Sequence, residues 1–159
     1  MDNPLLDFSG LPRLAHIRPE HVGPATDALI AQGRATIERL ASLGENPTWE
    51  SFVEPLDDAN ERLARAWAQV SHLNAVMNTA QLRDAYNAAL PKVTQYYSEQ
   101  GQDQRLHARY KALRASPAFA AFAPARKRFV ENELRDFRLG GAELPPPEKA
   151  RFLEIQKEM

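Results

Sequence analysis

Cysteine is missing from all 159 residues. That excludes disulfides, thiolate nucleophiles and cysteine-held zinc, and it fits a reducing compartment. Glycine is sparse: seven residues, spread singly except at Gly140-Gly141, so no glycine-rich loop is present to cradle a phosphate. No apolar run approaches the roughly 20 residues that cross a bilayer. The first ten residues, MDNPLLDFSG, lack the basic and apolar regions of a secretory signal. The expectation is a soluble, cytoplasmic chain with no membrane partner. Excess charge is lacking too. Twenty Lys and Arg stand against 21 Asp and Glu, a net charge of −1, so there is no long-range field to draw in nucleic acid. The densest basic run, Arg126-Lys127-Arg128, is followed by Glu131 and Glu133 and reads as a solvated helix face.

The usual combinations that carry catalysis are also absent. The four histidines are His16, His21, His72 and His107. Two zinc ligands on one helix face need a spacing of four residues. His16 and His21 are five apart with Pro19 between them, and the other two are isolated; each histidine reads as a surface or capping residue. Ser71 and His72 are adjacent, so on a helix they diverge by about 100° instead of meeting. No Gly-x-Ser-x-Gly elbow occurs. Glu54, Asp57 and Asp58 suggest acid/base work at first glance, but a helix N-terminus accounts for clustered carboxylates. No catalytic residue or metal ligand is assigned, no cofactor is expected in this chain, and substrate-binding residues stay unassigned. Trp49, Phe52 and Trp67 could line a groove, with Trp67 read as core. Of Tyr96 and Tyr97, one ring should face inward and one outward, with Tyr97 on the apolar stripe.

What is present is helical periodicity. The expected class is all-α, a multi-helix bundle of antiparallel hairpins with no sheet. Residues 1–18 form an irregular lead-in. Pro19 or Pro24 starts a helix whose face carries Leu29, Gly33, Ile37 and Leu40, closed by Gly44. Thr48 caps a turn holding Trp49, Phe52 and Val53, and Pro55 restarts a long helix with Leu63, Ala66, Trp67, Val70, Leu73 and Met77 inside. Asp58 with Arg62 and Glu61 with Arg65 make acid-before-base pairs outside. Asn78-Thr79 breaks and recaps. Leu82, Tyr86, Leu90, Val93 and Tyr97 mark the third stripe, kinked at Pro91 and stopped by Gly101. Shorter helices follow around Leu106–Leu113 and after Pro124, the latter with Phe129, Val130, Leu134 and Phe137 inside, closed by Gly140-Gly141. Residues 1–141 are expected to form a helical domain. Residues 142–159 are read as a Pro-rich spacer in extended polyproline form, then the start of a truncated helix from Glu148 through Phe152, Ile155 and Met159.

Several of these segments together resemble the M3 family of zinc metallopeptidases, its bacterial oligopeptidases in particular. They are Asn3-Pro4-Leu5-Leu6 with Phe8, His16-Ile17-Arg18-Pro19-Glu20-His21-Val22, Thr48-Trp49-Glu50 and Val53-Glu54-Pro55-Leu56. Trp67 through Ser71-His72-Leu73-Asn74, Ala85-Tyr86-Asn87, Leu134-Arg135-Asp136-Phe137 and Leu144-Pro145-Pro146 continue the series along the chain. The resemblance implies a piece of a longer, mostly helical enzyme whose two lobes flank a deep channel for short peptides. It implies zinc held by His-Glu-x-x-His and a downstream glutamate, none of which occurs here, so no site residue carries over. The matching piece is the N-terminal helical region, which helps wall the channel. Its implied partners are its own catalytic domain and oligopeptide substrates. The alternative is a standalone helical module that binds peptides or a protein.

Overall fold

Residues 3–44 and 46–158 are described in the computed structural model, and no strand occurs among them. The helices are α1 (Pro19–Ala41), α2 (Glu54–Met77), α3 (Ala80–Gly101), α4 (Gln104–Ala115), α5 (Pro117–Ala121), α6 (Pro124–Leu139) and α7 (Pro146–Glu158). Short 3-10 turns occur at Pro4–Leu6 and Leu14–His16, and a π-helical turn, Trp49–Val53, precedes α2. The chain divides into two compact units. One comprises the residues up to Glu38 together with Glu54–Tyr96; the other comprises Arg39–Val53 together with the residues from Tyr97 onward.

The first unit is built on long aliphatic stripes. Val22, Ala25, Leu29, Ile30 and Ile37 of α1 are buried, as are Leu56, Leu63, Ala66, Val70 and Leu73 of α2. Trp67 lies half-buried, stacked on Tyr86 with ring centroids 4.9 Å apart, whereas Met77 is 62% exposed at the end of its stripe. On α3 the buried residues are Leu82, Ala89, Val93 and Tyr96. The two tyrosines are therefore reversed from the expectation: Tyr96 is the inward ring and Tyr97 is exposed, as is Leu90. Both registers have helical spacing, and what decides between them is Gly33. A Cβ there would overlap the Tyr96 hydroxyl. The missing side chain on α1 makes room for that ring, whose hydroxyl donates to Asn60 Oδ1 on α2 at 3.1 Å.

Capping sets the ends. Asn3 accepts from the Leu5 amide at 3.0 Å and donates to the His21 carbonyl at 2.9 Å, which ties the lead-in to the start of α1. Asn78 adopts a left-handed φ of 46°, which Asn tolerates better than most residues, and Thr79 Oγ1 accepts from the Leu82 amide. α3 continues through Pro91. Glu61 and Arg65 pair at 3.0 Å as expected, while Arg62 lies over the Phe8 ring at 5.5 Å.

The second unit is aromatic. Thr48 and Ser51 exchange hydrogen bonds, each side-chain oxygen accepting from the other's amide at 3.0 Å, and this capping box opens the π turn. Phe52 is fully buried edge-on to Tyr110, at 4.8 Å, so it lines no groove. Trp49 sits edge-on to Phe122 and Phe129, with the Arg126 guanidinium over its ring at 4.6 Å. Arg126 also donates to Glu50, and Lys127 donates to the Ala120 carbonyl at 2.7 Å. The basic run is thus only partly a solvated face: two of its three cations are engaged and half-buried, and Arg128 is exposed. Val130 and Phe137 of α6 are buried as expected, with Phe129 and Leu134 half-buried.

A Schellman turn ends α6. The Ala142 amide donates to the Phe137 carbonyl and the Gly141 amide to that of Arg138, with Gly141 at φ 87°. The turn buries Ala142, whose carbonyl accepts from Gln104 Nε2 of α4 at 3.1 Å. Pro146 and Pro147 then belong to the first turn of α7 instead of an extended spacer. A proline at the start of a helix loses no hydrogen bond, and its fixed φ already suits the helix. Met159, expected at the end of the last stripe, lies outside the described residues.

Candidate functional site

The second unit carries a cleft of about 520 Å³ lined from α4, α6 and the Schellman turn. α4 contributes His107, Lys111 and Arg114, at spacings of four and three that place them on one face. Asp103 fixes the start of that helix by accepting from the Arg105 and Leu106 amides. α6 contributes Glu131, Leu134, Arg135 and Arg138 by the same rule. Glu143 enters because the Gly140-Gly141 turn delivers it to α4, where its Oε1 accepts from Lys111 Nζ at 2.7 Å.

The floor of this cleft is His107. It is 6% exposed and its ring stacks on Phe137, with centroids 5.5 Å apart. It is therefore a buried histidine, not the surface or capping residue expected from sequence. Its apolar ring faces packed well enough against the aromatic core to outweigh the loss of hydration. Desolvation lowers its pKa, the Lys111 ammonium lowers it further, and Glu143, 3.9 Å from its Nε2, acts in the opposite direction. The imidazole is neutral at pH 7. Glu143 is held below the ordinary carboxylate range by its hydrogen bond to Lys111 and by that cation's charge. Four cations and two carboxylates line the cleft, leaving positive charge in excess. Arg135 is paired with Asp136 at 2.9 Å, whereas Arg114 and Arg138 make no ion pair among the described residues.

The other singled-out residues do not converge. His21 caps, its Nδ1 accepting from the Arg18 amide at 3.0 Å, and His16 and His72 are exposed. Glu54, Asp57 and Asp58 lie along the start of α2, where partial desolvation and the neighbouring Asp58 and Glu61 carboxylates raise the Asp57 pKa. Trp49 is half-buried against Phe122, Phe129 and the Arg126 guanidinium and does not border this cleft. Among the described residues, no three His, Asp or Glu side chains are grouped to hold a metal ion. Sequence reading missed the cleft because its cations are divided between two helices and its Glu143 carboxylate comes from the turn after α6. The available signal was the recurrence of polar or charged residues at 107, 111 and 114 and again at 131, 135 and 138.

A profile described as the N-terminal domain of neurolysin/thimet oligopeptidase matches residues 27–149. Oligopeptidase A of Haemophilus influenzae is 44% identical over 155 residues, covering 98% of this chain and 23% of that protein. Oligopeptidase A of Salmonella typhimurium is 39% identical over the same shares. A probable cytosolic oligopeptidase A of Arabidopsis thaliana is 32% identical over 157 residues, 99% of this chain and 22% of its own length. The chain thus spans about a quarter of the length of the curated relatives it matches.

Proposed function

This chain belongs to the family of neurolysin/thimet oligopeptidase N-terminal domains, and from that premise we propose that it is the non-catalytic helical part of an oligopeptidase A-type zinc metallopeptidase. It forms part of the wall of a peptide channel and limits substrates by size, excluding folded chains. Its partner is the catalytic domain of the same longer protein, which supplies the zinc, and the substrates are oligopeptides in the cytoplasm. Residues 1–141 make up the wall-forming domain, and residues 142–159 continue from it. The observation that carries this reading is the mismatch of coverage: similarity runs along 98% of this chain but reaches only 23% of a complete oligopeptidase A.

The test is an exchange. The matching 155-residue region of the Haemophilus influenzae enzyme is replaced by this chain, and hydrolysis is followed with a short quenched peptide and with a folded protein of similar sequence. The expected result is cleavage of the peptide and sparing of the folded protein. A folded chimera that digests both equally contradicts the size-limiting role. A second reading, a standalone peptide-binding module, is favoured by the positively charged cleft. It differs in requiring peptide binding with no catalytic domain attached.

A further inference from the structure

The cleft on the second unit already holds one carboxylate. Glu143 lies against Lys111 at 2.7 Å and beside His107 at 3.9 Å, yet its side chain is 48% exposed and Lys111 is 56% exposed. A pair that open is held weakly and can exchange. Around it stand Arg114 and Arg138, both exposed and neither in an ion pair among the described residues, with Leu134 supplying an apolar strip between the charges. The volume, about 520 Å³, exceeds what one small ion fills. Its floor is a flat neutral imidazole braced by Phe137, which adds no repulsion toward a peptide group.

We propose that the cleft between α4 and α6 binds the carboxylate of an oligopeptide. Arg114 and Arg138 anchor it, and Lys111 joins them when Glu143 swings away. Guanidinium groups grip a planar carboxylate through paired N–H donors, which suits this role better than lysine alone would. A carboxylate is chosen over a phosphate because the cleft already receives one: the Glu143 carboxylate lies 2.7 Å from the Lys111 ammonium. The choice of a peptide as the ligand rests on the oligopeptidase reading above. The carboxylate has two possible sources, the peptide's C-terminus or an acidic side chain. In either case the cleft would select peptides by charge, separately from any selection by size.

The experiment uses the whole 159-residue chain and fluorescence anisotropy with three labelled tetrapeptides. One is tetraglutamate with an amidated C-terminus, one is tetraglutamine with an amidated C-terminus, and one is tetraglutamine with a free C-terminus. Binding of the first identifies a side-chain carboxylate as the ligand; binding of the third identifies the terminal one. In either case the R114A/R138A variant is expected to weaken binding about ten-fold, as loss of charge-assisted hydrogen bonds implies. Glu143→Gln is expected to tighten it about three-fold by freeing Lys111. Both changes are at exposed positions, and circular dichroism checks that the helices persist. Rising salt should weaken whichever complex forms. Equal binding of all three peptides, no binding of any, indifference to the arginine variant, or tighter binding of inorganic phosphate than of either acidic probe overturns the proposal. Failure here leaves hydrolysis by the chimera untouched. Loss of that hydrolysis with peptide binding intact removes the oligopeptidase reading instead.

Discussion

The two compact units reach stability by different routes. The first is held by aliphatic residues at helical spacing on three long helices, with one close approach where Gly33 admits Tyr96. The second is held by aromatic rings: Phe52, Tyr110, Phe137 and the His107 imidazole in one chain of contacts, and Trp49 with Phe122 and Phe129 in another. Its helices are shorter and its turns do more of the positioning. The lesson is that stripes specify long helices almost by themselves, whereas short helices depend on partners far away in sequence.

The sharpest way to break this comparison is to remove one large core side chain from each unit. Phe137→Ala withdraws the ring on which both His107 and Tyr110 pack, and is expected to destabilise by about 3–5 kcal/mol. Leu63→Ala in α2 should fall lower within the roughly 2–5 kcal/mol typical of leucine truncation, because its aliphatic neighbours can relax into the space. Chemical denaturation measures both, and hydrogen exchange shows which helices lose protection. A larger loss for Leu63→Ala would mean that the aromatic contacts are not the stronger core.

Next in size is Gly33→Ala. The new methyl overlaps the Tyr96 hydroxyl, and overpacking of this kind destabilises by about 1–3 kcal/mol, partly offset by the better helix propensity of alanine. In a Tyr96→Phe background the same substitution should do less harm, since the most severe overlap, with the hydroxyl oxygen, is gone and only the ring carbon Cζ at 2.8 Å still crowds the methyl. A double-mutant cycle with no coupling would show that Gly33 does not set the register of α3.

That register marks where sequence reading ran out. The all-α class, the breaks at Asn78-Thr79 and Gly101 and the helix after Pro124 were legible, because each rests on local backbone chemistry. The reversal of Tyr96 and Tyr97 was not, because it depends on an empty position 63 residues earlier (from Gly33 to Tyr96). Nor was the burial of His107, which depends on Phe137 lying under its ring. α5 went unread, being too short to carry a periodic signal. Pro146 and Pro147, which open α7, were read as extended because their composition fits both a spacer and a first helical turn. The cleft fell between these levels: its charged residues were visible, but their meeting required the α6 Schellman turn.

Gly141→Ala tests that turn. At a φ of 87° a side chain is strained, by roughly 1–2 kcal/mol, and the new Cβ would lie 3.0 Å from Leu144. The melting temperature should fall by a few degrees, roughly in proportion. Because the turn delivers Glu143 to α4, weakened contact between Glu143 and Lys111 should accompany the fall, visible as a carboxyl that titrates closer to its ordinary range.

The smallest effect is on pH dependence. The folded pKa of His107 lies below its ordinary value near 6.5, chiefly through desolvation. Above that value both folded and unfolded chains leave the imidazole neutral. As pH falls below it, the unfolded chain takes up the proton first, so stability is lost with acidification. Melting temperatures between about pH 7.5 and 5.5 should decline, and His107→Gln should flatten the decline. Glu143, whose folded pKa is depressed, loses its contribution only as pH falls below the ordinary glutamate value of 4.5, and does not confuse that window. An unchanged slope in the glutamine variant would mean that the buried imidazole is not the titrating group.

The central claim is that this chain supplies shape and contact to a peptidase, and none of its chemistry. It is tested most directly by incubating the purified 159-residue chain, with and without added zinc, with an internally quenched oligopeptide. Predicted is a rate indistinguishable from buffer under both conditions. Zinc-dependent cleavage that a chelator abolishes would contradict it, because the residues described here offer no grouped donors to bind the metal.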